Sequence, residues 1–363
     1  DFVIKNKIDY LIVGPEKPLV EGIVDFFQKH NIKIFGPEKI AAQLEGSKIF
    51  TKKLCQKYNI PTANFGVFHN ATKSLTFLKQ CKFPIVVKAD GLAAGKGVYI
   101  CETLESSTNA VKEIFDGKFG AAKEVLIEEF LDGEEMSFFI ISDGKTFKKF
   151  GSAQDHKRVL EGDKGKNTGG MGAYSPSRLE NKLLDKKILE KIIEPTLKGL
   201  KDLKTNFVGF LYAGLMIIKD EPFLIEYNVR MGDPESEVVF PRIKSDLLNL
   251  LVGIKNGTFS EKDLHIDKRV AVTVMLASQG YPENYEKNKL IDLPDDFNKS
   301  LIFHSGTKSK SGNLYTSGGR VMCVTTLSEN LNQALEKSLN VCSKINFDGK
   351  YYRKDIGRDL INY

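Results

Sequence analysis

The sequence has few cysteines and no pattern that would make a framework of them. Cys55, Cys81, Cys101, Cys323 and Cys342 are odd in number, and no pair has the C-x-x-C spacing. Neither a zinc site nor a disulfide scaffold is indicated, so reduced core thiols in a cytoplasmic protein are the expectation. Long apolar runs are also missing. None reaches the roughly 18 residues of a membrane span, and no membrane partner is expected. Lys plus Arg exceeds Asp plus Glu, 53 to 47, for a net charge of +6. Yet no basic run with interleaved aromatics occurs, which argues against a nucleic-acid arm. A mild, mixed positive balance suits anionic small substrates instead. There are no repeats and no low-complexity segment. The chain of 363 residues is expected to hold two or three domains, at roughly 100–200 residues each. Its opening, DFVIKNKIDYLIVG, lacks an initiator Met and reads as the end of a helix leading into a strand. Residues before Asp1 are therefore expected to belong to the protein.

The pattern of apolar positions gives the organisation. YLIVG (10–14) reads as a buried strand, 18–30 as a helix with Leu19, Ile23, Phe26 and Phe27 on one face, and IKIFG (32–36) as a second strand. Strand, helix, strand at this length implies a parallel pair. Ser47 is a candidate N-cap for a helix through Tyr58. FPIVVKADGLAAGKGVYICE (83–102) reads strand, glycine loop, strand, followed by a helix at 104–115 and a strand at 124–130. Segments 136–142 and 146–153 look like antiparallel partners. One long helix is expected over 180–203 with a break at Pro195. VGFLYAGLMII and PFLIEYN read as a hairpin. Residues 245–255 look helical, and a β-rich tail follows with strands at 269–278 and 320–326 and a helix near 329–344.

Several stretches carry chemistry. In ADGLAAGKGV (89–98), Gly91, Gly95 and Gly97 let backbone N–H groups approach an anion. The spacing is one residue short of a Walker loop, Lys96 is followed by Gly97, and a strand follows instead of a helix. That describes a flap over a phosphate; a plain glycine hairpin would read the same way. Lys88 ends the apolar run IVVK and needs a counter-anion. Lys48 sits in the first turn of its helix, where the macrodipole disfavours a cation and a phosphate would relieve it; simple exposure is the competing reading. In EEFLDGEE (128–135) the carboxylates suit a ribose or an amino group better than a phosphate, or else form an acidic surface turn. FLIEYNVRMGDPE (223–235) puts charge into a strand. Strand alternation places Leu224, Glu226 and Asn228 on one face and Phe223, Ile225 and Tyr227 on the other. Glu226 and Asn228, about 7 Å apart, can share a hard cation, and magnesium completes its shell with phosphates. Arg230, two residues on, can hold a phosphoryl or carboxylate in a fork. A structural salt-bridge cluster is the alternative, but an Asn adds nothing to one. SAQDHKR (152–158) gathers charge before the glycine-rich loop KGKNTGGMGAYSP.

These stretches, in this order, resemble the ATP-grasp superfamily. GPEKPLVEGI, EGSKIFTKKL, VVKADGLAAGKGV, EEFLDGEEMSF, QDHKR, NTGGMGAYSP, FLIEYNVRMGDPE and GKYYRKDIG are similar to the phosphoribosylamine–glycine ligase (glycinamide ribonucleotide synthetase) family over nearly the whole chain. The resemblance implies α/β and α+β domains: a partial Rossmann-like unit at 1–42, an ATP-grasp domain at 43–256 with a flap subdomain at about 62–130, and a small β-rich domain at 257–363. It implies ATP-dependent ligation of glycine to 5-phosphoribosylamine through glycyl phosphate, by a monomer or weak homodimer. Lys48 and Lys88 would hold ATP phosphates under the loop of Gly91, Gly95, Lys96 and Gly97. Glu128, Glu129 and Glu135 would lie near the adenine and ribose, with the backbone of Phe130 and Leu131 at the hinge. Glu226 and Asn228 would bind Mg2+ or Mn2+. Arg230 and Asp233, with Gly232, would handle the carboxylate and the transferred phosphoryl, Lys88 assisting. Asp155, His156, Lys157, Gly170 and Gly172 would face glycine or phosphoribosylamine. Two departures stand out. AGLMII offers no acid on the strand before Glu226, and the family's opening glycine-rich loop has no match. Another ATP-grasp carboxylate–amine ligase, or an inactive ATP-binding remnant, are the alternatives.

Overall fold

The computed structural model describes residues 1–92, 97–120 and 124–358. Gly95 and Lys96 of the flap loop lie outside the described residues. The opening unit pairs Leu11–Ile12 in parallel with Ile34–Phe35. The single helix expected between them is two, Glu16–Glu21 and Ile23–Lys29. Gly22, at φ +94°, closes the first and opens the second. The first strand is not buried as its apolar run implies: Ile12 is 47% exposed. Leu19 and Val24 instead carry the packing, against Ala41, Leu44 and Leu54 in a core shared with the large sheet.

Ser47 caps the helix Lys48–Tyr58, accepting from the Phe50 N–H at 3.0 Å. An antiparallel four-stranded sheet follows, in the order Phe65–Phe68, Val125–Glu129, Ile85–Ala89, Val98–Cys101. Ile85, Val87, Ala89, Val125 and Ile127 pack with Val111 and Ile114 of the helix Leu104–Phe115. Strand alternation therefore turns Val86, Lys88 and Glu128 to the opposite face, which looks onto the cleft.

A nine-stranded sheet forms the body. Its path is Glu221–Asn228, Val208–Ile218, Glu134–Asp143, Phe147–Asp155, Gly172–Ser175, Val270–Ser278, Arg320–Ser328, Leu301–His304, with Lys350–Tyr351 added beside Val270–Ser278. Gly172–Ser175 pairs with Phe147–Asp155 on one side and Val270–Ser278 on the other. The β-rich tail thus extends the same sheet, and it adds a separate three-stranded one in the order Leu290–Ile291, Asn313–Thr316, Thr307–Lys310. Helical backbone runs from Lys182 to Asp202 and passes Pro195 without stopping. A π turn at Leu189–Ile193 falls where a carbonyl would have waited for the missing proline N–H.

The strand that carries Glu226 departs from simple alternation. Gly214 pairs with Glu226 and Leu215 with Leu224, so Ile225 is an extra residue, a β-bulge. Leu224 consequently joins Tyr227 and Val229 in the core. Ile225, Glu226, Asn228 and Arg230 line the cleft. Leu224 and Glu226 do not share a face, because the bulge reverses the alternation between them. Among the described residues no helix is long and apolar enough to cross a membrane.

Candidate active site

The cleft lies between the small sheet and the bulged strand. One cavity of about 130 Å³ is lined by Lys48, Lys52, Lys88, Gly91, Gly97 and Glu128 from one side and by Glu226, Asn228 and Arg230 from the other. The start of the flap loop, at Asp90 and Gly91, is pinned to a helix start. Asp90 accepts from the Ile49 N–H at 3.1 Å and from the Ser47 hydroxyl at 3.0 Å, and Lys48 Nζ donates to the Gly91 carbonyl at 3.1 Å. The aspartate answers the positive end of the helix, which the lysine in its first turn does not. Lys88 Nζ stands 2.6 Å from Glu128 Oε2, with both side chains about 5% exposed or less. Glu128 Oε1 is 2.8 Å from Lys52 Nζ, a contact of charges without an aligned hydrogen bond. Burial disfavours the ionised Glu128, but the two lysines outweigh it and hold its pKa below the ordinary value. Glu128 is therefore engaged by two lysines while it also lines the cleft.

Next to this cavity is an apolar slot of about 110 Å³, lined by Ala63, Val86, Val98, Ile100, Met216 and Leu224 with Phe130 and Leu131 at its edge. It shares Lys88, Val98, Glu128 and Ile225 with the first cavity, so slot and charged end are continuous. Glu129 faces outward and takes the Asn64 backbone and side-chain N–H groups at 2.9–3.1 Å. That ties the strand end beside the slot to the segment before Phe65.

Glu226 and Asn228 supply two hard oxygens opposite the lysines. Among the described residues no group of three or more His, Cys, Asp or Glu is gathered for a metal. Such a donor set fits a magnesium-like ion that keeps water and phosphate ligands, not a resident structural metal. Arg230 is held rather than free. Its Nη2 is 2.9 Å from Glu45 Oε1 and its Nε 3.4 Å from Glu16 Oε2. Glu45 also accepts from the Val229 N–H at 2.8 Å.

A larger cavity, about 430 Å³, is lined by Glu135, Gln154, Asp155, His156, Lys157, Arg158 and Asn167. Lys157 pairs with Glu135. Burial alone would lower the Lys157 pKa, but Asp155 and Glu135 raise it well above its ordinary value. Burial raises that of Asp155. His156 is 4% exposed, and its Nε2 accepts from the Gly357 N–H at 3.0 Å, which ties it to the chain near 357. Gly170 and Gly172 are likewise packing glycines, not an open cradle. A Cβ on Gly170 would collide with Pro234 Cδ, and one on Gly172 would fall 2.6 Å from the Thr273 carbonyl oxygen. On Gly232 it would run into the Glu235 carboxylate. Asp233 is half-exposed and paired with Arg320 Nη2 at 2.7 Å, so a residue of the tail fixes the turn after Arg230.

Residue patterns did not single out Lys52, Glu45, Asp90 or Arg320. Lys52 lies one helical turn beyond Lys48, a spacing that shares a face and was the available signal. The other three act through partners distant in the chain.

Comparison with known proteins agrees over the length of the chain. The phosphoribosylglycinamide synthetase family matches in three parts: its N domain at residues 1–45, its ATP-grasp (A) domain at 46–236 and its C domain at 271–359. Phosphoribosylamine–glycine ligase of Brucella melitensis is 47% identical over 360 residues, covering 98% of this chain and 84% of that protein. That of Clostridium acetobutylicum is 45% identical, covering 99% and 86%. The crystal structure of the Thermotoga maritima ligase superposes with a TM-score of 0.83 at 38% identity, over 89% of this chain and 82% of that one. A biotin carboxylase–nucleotide complex from Campylobacter jejuni superposes at 0.76 with 15% identity, over 99% and 80%, a likeness of fold.

Proposed function

The chain belongs to the phosphoribosylglycinamide synthetase family and has the ATP-grasp fold, and from that premise we propose how its residues divide the work. The reaction is the ligation of glycine to 5-phosphoribosylamine with ATP, giving glycinamide ribonucleotide, ADP and phosphate, in purine biosynthesis. Enzymes of this fold use ATP and a divalent metal.

ATP takes the slot with its base against Val86, Ile100, Met216 and Leu224 and its phosphates toward Lys88 and Lys48. The two lysines on one wall and Glu226 with Asn228 on the other carry this reading, since the four line one cavity. Glu226 and Asn228 would hold a magnesium ion, which would supply charge neutralisation for the phosphoryl transfer. The glycine carboxylate then attacks that phosphoryl. Arg230, its guanidinium oriented by Glu45, offers its remaining N–H groups to the carboxylate or the phosphoryl. Asp233, set by Arg320, forms the edge of that site. Lys157, with Asp155 and Glu135, faces the amine or its phosphate across the larger cavity. Such transfer needs orientation and charge neutralisation rather than a protein nucleophile. The glycyl phosphate must also be kept from water, which gives the flap its purpose.

The test is ADP release with glycine against other amino acids, each with and without phosphoribosylamine. The reading requires glycine-dependent release and glycinamide ribonucleotide only when both substrates are present. Equal rates with another amino acid would assign the site to a different carboxylate.

A further inference from the structure

Glu128 is a buried carboxylate with two ammonium groups. Lys88 approaches Oε2 at 2.6 Å and Lys52 approaches Oε1 at 2.8 Å. The two lysines are not equivalent. Lys52 Nζ also donates to the Thr62 hydroxyl, which in turn donates to the Leu224 carbonyl at 2.6 Å, at the foot of the bulged strand. Lys52 stands 5.7 Å over the Phe65 ring as well. It is tethered on several sides. Lys88 lines both the charged cavity and the apolar slot, where a triphosphate would pass it.

A buried one-to-one pair of Lys88 and Glu128 would be closed. Moving the lysine to a phosphate would strand a desolvated carboxylate, which is strongly unfavourable. With Lys52 in place Glu128 keeps a counter-ion throughout, and the three groups carry a net positive charge that favours an anion. The pKa of Lys52 is lowered, with burial the largest cause; Glu128 opposes the lowering and Lys88 adds to it.

We propose that Lys52 is a positioning residue that keeps Glu128 neutralised, so that Lys88 can pass from the carboxylate to an oxygen of the nucleoside triphosphate. The inference rests on Lys88 as a phosphate ligand, and the experiment separates the two. ATP binding is measured by equilibrium titration, alongside the KM for ATP and for glycine. The variants are Lys52→Met, Lys52→Arg, Lys88→Met and the double Lys52→Met with Glu128→Gln. Lys52→Met weakens ATP about tenfold or more, the scale of one hydrogen bond to a charged group, while the KM for glycine stays near the parent value. Lys52→Arg retains ATP affinity. The double variant recovers most of the loss, because the neutral amide that replaces the Glu128 carboxylate no longer holds Lys88. Parent-like ATP binding by Lys52→Met, with Lys88→Met impaired, overturns the proposal. So does a double variant as weak as Lys52→Met, which leaves Lys52 a purely structural role. Normal ATP binding by Lys88→Met refutes the phosphate reading itself. Should Lys52→Met not fold, the double variant decides by the same affinity criterion, since it buries no unpaired carboxylate.

Discussion

Two side chains of the cleft and one buried in the turn after Arg230 invite single substitutions. Glu226 is half-buried, and the packing of its strand rests on Leu224 and Tyr227. Glu226→Ala should leave the melting temperature nearly unchanged and lower ligation by about a hundredfold or more, beyond the usual effect of an outer-shell ligand. ADP release at ordinary and raised magnesium measures it, and retained turnover at ordinary magnesium would sink the metal assignment. Arg230→Lys keeps the charge but loses the fork that reaches Glu45, Glu16 and the cleft together. Ligation should fall at least about tenfold, and the buried Glu45 should lose roughly 1–3 kcal/mol of partnership, read as a lower denaturation midpoint. Near-normal rates would contradict the fork. Glu235 is buried, and burial, with Asp155 next in size, raises its pKa to about 7. Between the ordinary carboxylate value and about 7 the folded state binds more protons than the unfolded chain. Its contribution to stability is therefore lost as pH rises through that window and is level above it. The melting temperature of Glu235→Gln, relative to the parent, should rise from pH 5 to pH 7. A constant difference would mean an ordinary carboxylate.

Among the elements, the loop from Gly170 into the strand Gly172–Ser175 shows how tightly the cleft is backed. Gly170 has φ +112° and leaves no room beside Pro234. Gly170→Ala should cost roughly 1–3 kcal/mol from backbone strain alone and displace the Asp233–Pro234 turn. A lower denaturant midpoint together with reduced ligation is the expected pair of results; a stable variant with full activity would show that the turn yields. The bulge at Ile225 belongs to the same scale. One inserted residue sends Glu226, Asn228 and Arg230 to the cleft while Leu224, Tyr227 and Val229 stay in the core.

Across the whole molecule, the tail is fastened to the cleft by ion pairs. Arg353 is fully buried. It meets Asp355 with Nε at 2.8 Å and Nη2 at 2.7 Å, and Asp163 and the Arg158 carbonyl with Nη1 at 2.8 and 3.0 Å. Lys354 N–H and Gly162 N–H complete the seam, donating to Glu161 and Asp355. Arg353→Met removes the cation that Asp355 and the half-exposed Asp163 share and should cost roughly 1–3 kcal/mol, the scale of lost hydrogen bonds to a charged group. Limited proteolysis should then cut within 158–167, the ribbon that walls the larger cavity. Unchanged protection of that ribbon would show that the backbone bonds alone hold it.

The residues proposed to touch phosphate, metal and carboxylate could be singled out in the sequence because such chemistry requires particular side chains close together in the chain. Glu226, Asn228 and Arg230 are spaced two apart along and just beyond one strand, and glycines follow Lys88 as a loop proposed to approach an anion would require. The elements at 48–58, 104–115 and 269–278 were legible from caps and apolar spacing alone. What only the tertiary structure decided depends on partners far apart in sequence. Lys52 meets Glu128, Asp90 caps a helix that starts far earlier in the chain, Arg320 fixes Asp233, and Thr273 and Pro234 exclude side chains from two glycines. The bulge that reverses the faces of Leu224 and Glu226 has no local signature either. Its register is set by the neighbouring strand. The resemblance of its motifs to a known family thus told which chemistry the chain performs; packing between distant segments decided which of its charges are free to take part.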